Sequence, residues 1–295
     1  MVSLRKRTIG KKHYYYLEHS FKIGRKVKKE ELYLGTELPN NIEKIKREFL
    51  NKIYRKKWFD KLDAIKKKFQ NEFGNMPGLA KEKYIENFMV KFTYDSNRIE
   101  GSTITLKETA RLLEEGIVPK NRPLKDVKET ESHKKVFYEM LKHKKDISMN
   151  MVLHLHKLLF KESEPEIAGK VRNHEVAVAG SKSKFPIPAE LDFLLEEFFK
   201  WYNNNKKKTH PVELAALVHL KFVSIHPFTD GNGRISRLLM NFVMNKNGFP
   251  MLDIKYSNRS DYYTALERSQ VKGIEIIFMQ HIIRRYIKEY AKYLK

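Results

Sequence analysis

Ile225-His226-Pro227-Phe228-Thr229-Asp230-Gly231-Asn232-Gly233-Arg234-Ile235-Ser236-Arg237 lies between two segments that both read as helices. Upstream, Pro211 through Ser224 carries Leu214, Leu217, Val218 and Val223 close to helical spacing, and Pro211 suits a first-turn position. Downstream, Ile235 through Asn247 carries Ile235, Leu238, Leu239, Phe242 and Val243. Asn247-Gly248 then supplies a stop, and Pro250 lies just beyond it. Two apolar helices joined by a short charged loop predict a mainly α chain built to present that loop.

The loop's residue order has a chemical reading. Pro227 biases His226 away from helical geometry, so the first helix ends there and the imidazole faces the loop. Gly231 and Gly233 permit positive φ and close backbone approach, so successive N–H groups of Gly231, Asn232 and Gly233 converge at the start of the second helix. Such a start favours an anion. Arg234 and Arg237, three apart, suit further phosphate oxygens. Asp230 is an oxygen ligand of the kind Mg²⁺ takes beside substrate phosphates. Together these residues describe phosphoryl or nucleotidyl transfer, with His226 as the base that accepts a hydroxyl proton.

All eight fixed positions of H-x-F-x-D-G-N-G-R-x-x-R are present between His226 and Arg237, and the stretch resembles the signature of the Fic family. The resemblance implies a Fic-type helical bundle with a small β-hairpin flap and adenylyltransferase activity. AMP would pass from ATP to a Ser, Thr or Tyr hydroxyl of a protein, with Mg²⁺ or Mn²⁺ on Asp230. The phosphates would lie along Asp230, Gly231, Asn232, Gly233, Arg234, Ile235, Ser236 and Arg237. Ser96-Asn97-Arg98-Ile99-Glu100-Gly101 matches the family's inhibitory pattern, so the helix around 84–101 would bring Glu100 to Arg237 and deny that arginine to the γ-phosphate. Gly169 to Gly180 alternates Val176 and Val178 between glycines and reads as strand; by resemblance it is the flap, with Val178, Ala179, Gly180, Ser181 and Lys182 lining the nucleotide and target cleft. Tyr262 and Tyr263, in a Tyr-Tyr-x-x-Leu-Glu element, would stack on or border the base, with Gln270 nearby. Two alternatives stay open. Glu100 orients a water for removing AMP from a modified protein, or the chain is a nucleic-acid-binding regulator carrying a Fic core. Relatives using UTP, GTP or a choline donor also leave the nucleotide open.

Three regions are expected: a basic β-meander module at 1–38, a helical connector at 39–78, and the Fic domain at 79–295. Residues 5–35 are rich in Tyr, Lys and Arg, are punctuated by Gly24, and read as two or three short antiparallel strands. Residues 1–70 hold 21 Lys and Arg against 8 Asp and Glu, a net +13 out of the chain's +23, which makes nucleic acid or another polyanion a partner to consider there. A homodimer is a further open reading. Thr105 and Glu108 have capping-box spacing. His133, His143, His154 and His156 make no trusted metal-ligand set. The absence of cysteine excludes disulfides and thiol nucleophiles, and the absence of a long apolar run argues against a membrane span; a cytoplasmic protein is expected.

Overall fold

The computed structural model describes residues 2–23, 26–177 and 180–295. Three strands, β1 (Ser3–Ile9), β2 (Lys12–Ile23) and β3 (Lys26–Gly35), form an antiparallel sheet in that order. Period-2 alternation decides its faces. Leu17 on β2 is fully buried and packs with Phe49 and Ile53 of the following helix, α1 (Ile42–Asn75). The register Arg7↔Tyr14, Arg5↔Tyr16 and Tyr16↔Tyr33 gathers tyrosines and cations on the opposite face. There Glu18 accepts from Arg5 at 3.2 Å and Arg7 at 2.9 Å and pairs with Lys29 at 2.9 Å. Lys29 above all holds the Glu18 carboxyl down at about 2. Arg5, Arg7 and Lys29 are therefore paired within the sheet, with Glu18 already counted in the net +13 of residues 1–70.

The chain divides into one compact unit ending at Asp63 and another formed by Ala64–Lys295. The connector expected at 39–78 is mostly the single 34-residue helix α1, whose two ends belong to different units. Met76-Pro77 breaks it, and Pro77 leads directly into α2 (Gly78–Ile99).

The second unit is helical. After α2 come α3 (Leu106–Ala110), α4 (Leu124–Lys142), α5 (Met149–Phe160), α6 (Leu191–Asn205), α7 (Pro211–Ile225), α8 (Asn232–Lys246), α9 (Arg259–Lys272) and α10 (Glu275–Glu289). The capping box of Thr105 and Glu108 opens α3. A short π-helical turn, Arg111–Glu115, then ends at Gly116 in the left-handed conformation, φ 71°. α7 is the central helix: Val212, Ala215, Ala216, Val218 and Phe222 have no exposed surface, and its partner α8 buries Ile235, Leu238, Leu239, Met240 and Val243 as completely. A helix covered on most sides is a core helix rather than an amphipathic surface one.

The strands expected at 169–180 do not form among the described residues, and Val178 and Ala179 lie outside them. Residues 170–177 and 181–187 run without a ladder because no neighbouring strand offers one. Side chains satisfy the backbone instead: Arg172 donates to the carbonyls of His174 (2.7 Å) and Pro186 (2.6 Å), and Glu267 accepts from Lys182 N–H at 2.6 Å. No helix among the described residues is long and apolar enough to cross a membrane.

Candidate active site

The loop between α7 and α8 opens into a cleft of about 640 Å³ lined by His226, Gly233, Arg237, Glu100, Phe185 and residues of α9. His226 ends α7 in the left-handed region, φ 52° and ψ 56°. That conformation costs a non-glycine residue about 1–2 kcal/mol and turns the ring out of the helix. His226 Nδ1 lies 3.2 Å from the Val223 carbonyl oxygen, which makes it the protonated nitrogen and leaves the lone pair on Nε2. The Phe185 ring covers the imidazole with centroids 4.1 Å apart. Burial pushes the imidazole below its usual range, partly opposed by the Val223 carbonyl, so the ring is neutral at pH 7.

Asn232 bolts the loop shut: its Oδ1 accepts from Phe228 N–H at 2.9 Å and its Nδ2 donates to Phe228 O at 2.7 Å. His156 is a second bolt, neutral because burial lowers it to about 4. Its Nε2 donates to the Asp230 carbonyl (3.0 Å), its Nδ1 accepts from Gly169 N–H (2.9 Å), and its ring stacks on Phe228 at 3.7 Å. Gly231, at φ +80°, has Phe160 within 2.5 Å of where a β-carbon would be, so no other residue fits that N-cap.

Glu100, the C-cap of α2, reaches the start of α8. Its Oε1 accepts from Arg237 Nη2 at 2.6 Å, and a β-carbon on Gly233 would stand 2.2 Å from the same oxygen. A carboxylate thus occupies the position where the helix N-terminus and Arg237 converge. Arg237 is 1% exposed and is held further by Ser96, whose Oγ and carbonyl accept at 2.8 and 3.0 Å. Burial disfavours its charge, but Glu100 outweighs that and keeps the guanidinium ionised.

Arg234 points elsewhere. It is 2% exposed, pairs with Glu129 of α4, and lies 3.1 Å from Asp230 Oδ1. The outer-phosphate contact expected of it is not available in this arrangement; Arg234 sets the carboxylate of Asp230. Ile235 and Ser236 face the core, Ile235 N–H bonds to Gly231 O (2.9 Å), and Ser236 Oγ donates to Asn232 O (2.6 Å). Of this turn's main chain, the N–H groups of Asn232, Gly233 and Arg234 remain for an anion beside Arg237. Asp230 is kept below the usual carboxylate range because Arg234 and Gly231 N–H outweigh burial. Glu129→Gln is expected to lower stability by about 3 kcal/mol, since Arg234 would lose a buried charge partner. The midpoint of denaturant unfolding measures it, and an unchanged midpoint would make the pair dispensable.

At the far end of the cleft Tyr262 is 1% exposed, and its ring meets His219 and Phe278, themselves stacked at 4.9 Å, in edge contacts, with Oη 3.0 Å from His219 Nε2. It cannot stack on a base, because both ring faces are in the core; it offers the cleft only its hydroxyl edge, 3.4 Å from Arg237 Nη1. Tyr263 is 42% exposed, lines the cleft and donates to Ile99 O at 3.1 Å. Gln270 accepts from Ser183 Oγ (2.8 Å) and donates to Ser224 Oγ (3.1 Å). Gly180 and Ser181 line the cleft, Ser181 Oγ lies 3.2 Å from Glu267 Oε1, and Lys182 joins through its main chain only. The sequence reading gave no site role to Arg172, Glu129 or His156, and carried Ser96 and Glu267 only as fixed positions of the two family patterns. For Arg172 and Glu129 the only sequence signal is a polar residue near an apolar segment, which a chain with 32% charged residues repeats throughout.

Residues 146–244, which span the motif, match the Fic/DOC family profile. The protein adenylyltransferase Fic of Nematostella vectensis is 31% identical over 258 residues, covering 84% of this chain and 57% of that protein. Its Drosophila melanogaster namesake is 35% identical over 198 residues, covering 66% and 39%. The chain therefore spans about half the length of these curated relatives or less. A Fic-domain signaling protein of Bacteroides thetaiotaomicron superposes with a TM-score of 0.72 at 26% identity, over 80% of this chain and 96% of that one. Fic-1 of C. elegans (residues 134–508) shares the fold, with a TM-score of 0.71 at 24% identity over 87% and 78% of the two chains. Cleft, motif and relatives agree: the chain carries a Fic/DOC-family domain over residues 146–244.

Proposed function

We propose that this chain transfers AMP from ATP to a Ser, Thr or Tyr hydroxyl of a protein, and that Glu100 restrains it. The observation that carries the reading is the shared seat: Glu100 lies on Arg237 and Gly233 within the cleft that holds His226. In the transfer, the hydroxyl oxygen bonds to the α-phosphorus as the bond to the pyrophosphate breaks. His226 Nε2 takes the hydroxyl proton, and the first-turn N–H groups of α8 with Arg237 hold the phosphate oxygens.

A divalent ion fits Asp230. Oδ1 is engaged by Gly231 N–H and Arg234, whereas Oδ2 has only Lys125 Nζ at 4.0 Å. Among the described residues no group of three or more His, Asp or Glu is placed to hold a metal by itself. Such an ion would take one protein oxygen with phosphate and water oxygens, as Mg²⁺ or Mn²⁺ does, and would supply charge neutralisation to the phosphates.

A second reading rests on the smaller recess of about 300 Å³, where Glu100 faces Asp230 and His226 together. A water held there by Glu100 would remove AMP from a modified protein. For residues 1–70 the net charge supports contact with nucleic acid or another polyanion. A salt-dependent mobility shift of the full chain supports that, and none at low salt removes it. The transfer reading is tested by incubating the chain and its Glu100→Gly variant with α-labelled ATP and Mg²⁺. Label on protein from the variant supports it. Release of AMP from a pre-modified protein, lost in the variant, favours the second reading. No label with ATP, UTP or GTP overturns the first.

A further inference from the structure

Arg172 lies between α5 and α6, is 4% exposed, and forms no ion pair with a carboxylate among the described residues. Its hydrogen bonds go to main-chain carbonyls, and Glu175 acts on it only at longer range. Nε donates to His226 O at 2.7 Å, Nη1 to His174 O at 2.7 Å and Nη2 to Pro186 O at 2.6 Å, while its own N–H donates to Pro227 O at 2.9 Å. These acceptors belong to two segments that meet only at the cleft. His226 and Pro227 open the motif loop. His174 lies in the described residues 174–177 that line the smaller recess, and Pro186 follows Gly180, Ser181 and Phe185, which line the cleft. Phe185, next to Pro186, lies over the imidazole of His226.

We propose that Arg172 is a positioning residue. It yokes both ends of the 174–186 stretch to the carbonyl of His226, so that the cleft wall and the ring are set by one side chain. Its kinetic consequence rests on the transfer reading above. The planar fork is what the task requires, because three acceptors in one plane match a guanidinium, whereas a lysine ammonium would satisfy fewer of them. Removing the side chain would take the donor from three carbonyls whose bonds to it are partly buried.

The charge has a second effect. The groups acting on His226 are Arg172, Glu100, Asp230 and the Val223 carbonyl, and of these Arg172 is the cation that disfavours an imidazolium. Its loss would let the ring protonate at higher pH.

The test uses the full chain carrying Glu100→Gly, with Arg172→Met and Arg172→Lys added separately. Three quantities are read: the titration of His226 by NMR on labelled histidine, amide exchange over 174–186, and kcat and KM for transfer. For Arg172→Met the ring should titrate at higher pH, exchange should quicken, and kcat should fall about 100-fold with KM for ATP within about threefold. Arg172→Lys, which keeps the charge, should leave the titration in place yet quicken exchange and lower kcat about tenfold. A folded Arg172→Met variant with unchanged titration and exchange overturns the proposal. If that variant does not fold, full protection and full kcat in Arg172→Lys overturn it. If the Glu100→Gly parent transfers nothing, the transfer reading fails, and titration and exchange still decide the yoke.

Discussion

Glu100→Gly is expected to raise label transfer from ATP by about 30- to 1,000-fold over the unsubstituted chain. The size follows from what the carboxylate holds. It accepts a short charge-assisted bond from an arginine with 1% exposure, and it lies against the N-terminus of α8. Such a bond contributes about 1.5–3 kcal/mol and the helix end about 0.5–1 kcal/mol more. A brake of about 2–4 kcal/mol corresponds to roughly 30- to 1,000-fold in rate. Glycine removes the carboxylate without disturbing the helix end, where Glu100 has φ −87°. Arg237 keeps the Ser96 hydroxyl and carbonyl, so the variant should fold.

The same competition predicts an effect on ATP binding. If the triphosphate and Glu100 exclude each other from Arg237, ATP with Mg²⁺ should raise the melting temperature of Glu100→Gly more than that of the unsubstituted chain. Equal thermal shifts with unequal labelling would mean that Glu100 leaves ATP bound in an unreactive pose. Equal shifts with equal labelling would remove Glu100 from regulation altogether.

Local patterns in the sequence were enough to place α7, α8 and the loop between them, because proline, glycine and apolar spacing act within a few residues. The Thr105–Glu108 capping box is equally local. Side-chain direction is not. Arg234 and Arg237 are three apart and read as one anion-binding face, yet each turns to a different carboxylate, buried Glu129 or partly exposed Glu100, more than 100 residues away in sequence. Tyr262 read as a base-stacking residue because nothing in its own helix shows that His219 and Phe278 enclose it. The alternation at Val176 and Val178 suggested strand, but a strand needs a partner, and the backbone here is held by Arg172 and Glu267. The pairing of Glu100 with Arg237 spans 137 residues and came only through the family resemblance.

His226→Ala, placed in the Glu100→Gly background, is expected to lower transfer by at least about 10³-fold, while ATP affinity stays within about threefold. The separation follows from the geometry. On the proposed reading the phosphates would sit against Arg237 and the first turn of α8, and the imidazole adds a proton acceptor but no bond to Arg237. Alanine also inherits φ 52°, a region it occupies at a cost of about 1–2 kcal/mol, so asparagine, which tolerates that region, is the control for folding. Both variants should lose transfer, and His226→Asn should melt higher. The pH profile checks the role independently. Burial lowers the imidazole's pKa, and a base works only unprotonated, so the rate should stay level through neutral pH and fall only on acidification below the ordinary histidine range. A rate that rises through pH 7 to 8, or a His226→Ala variant that keeps its transfer, would move the base to another residue.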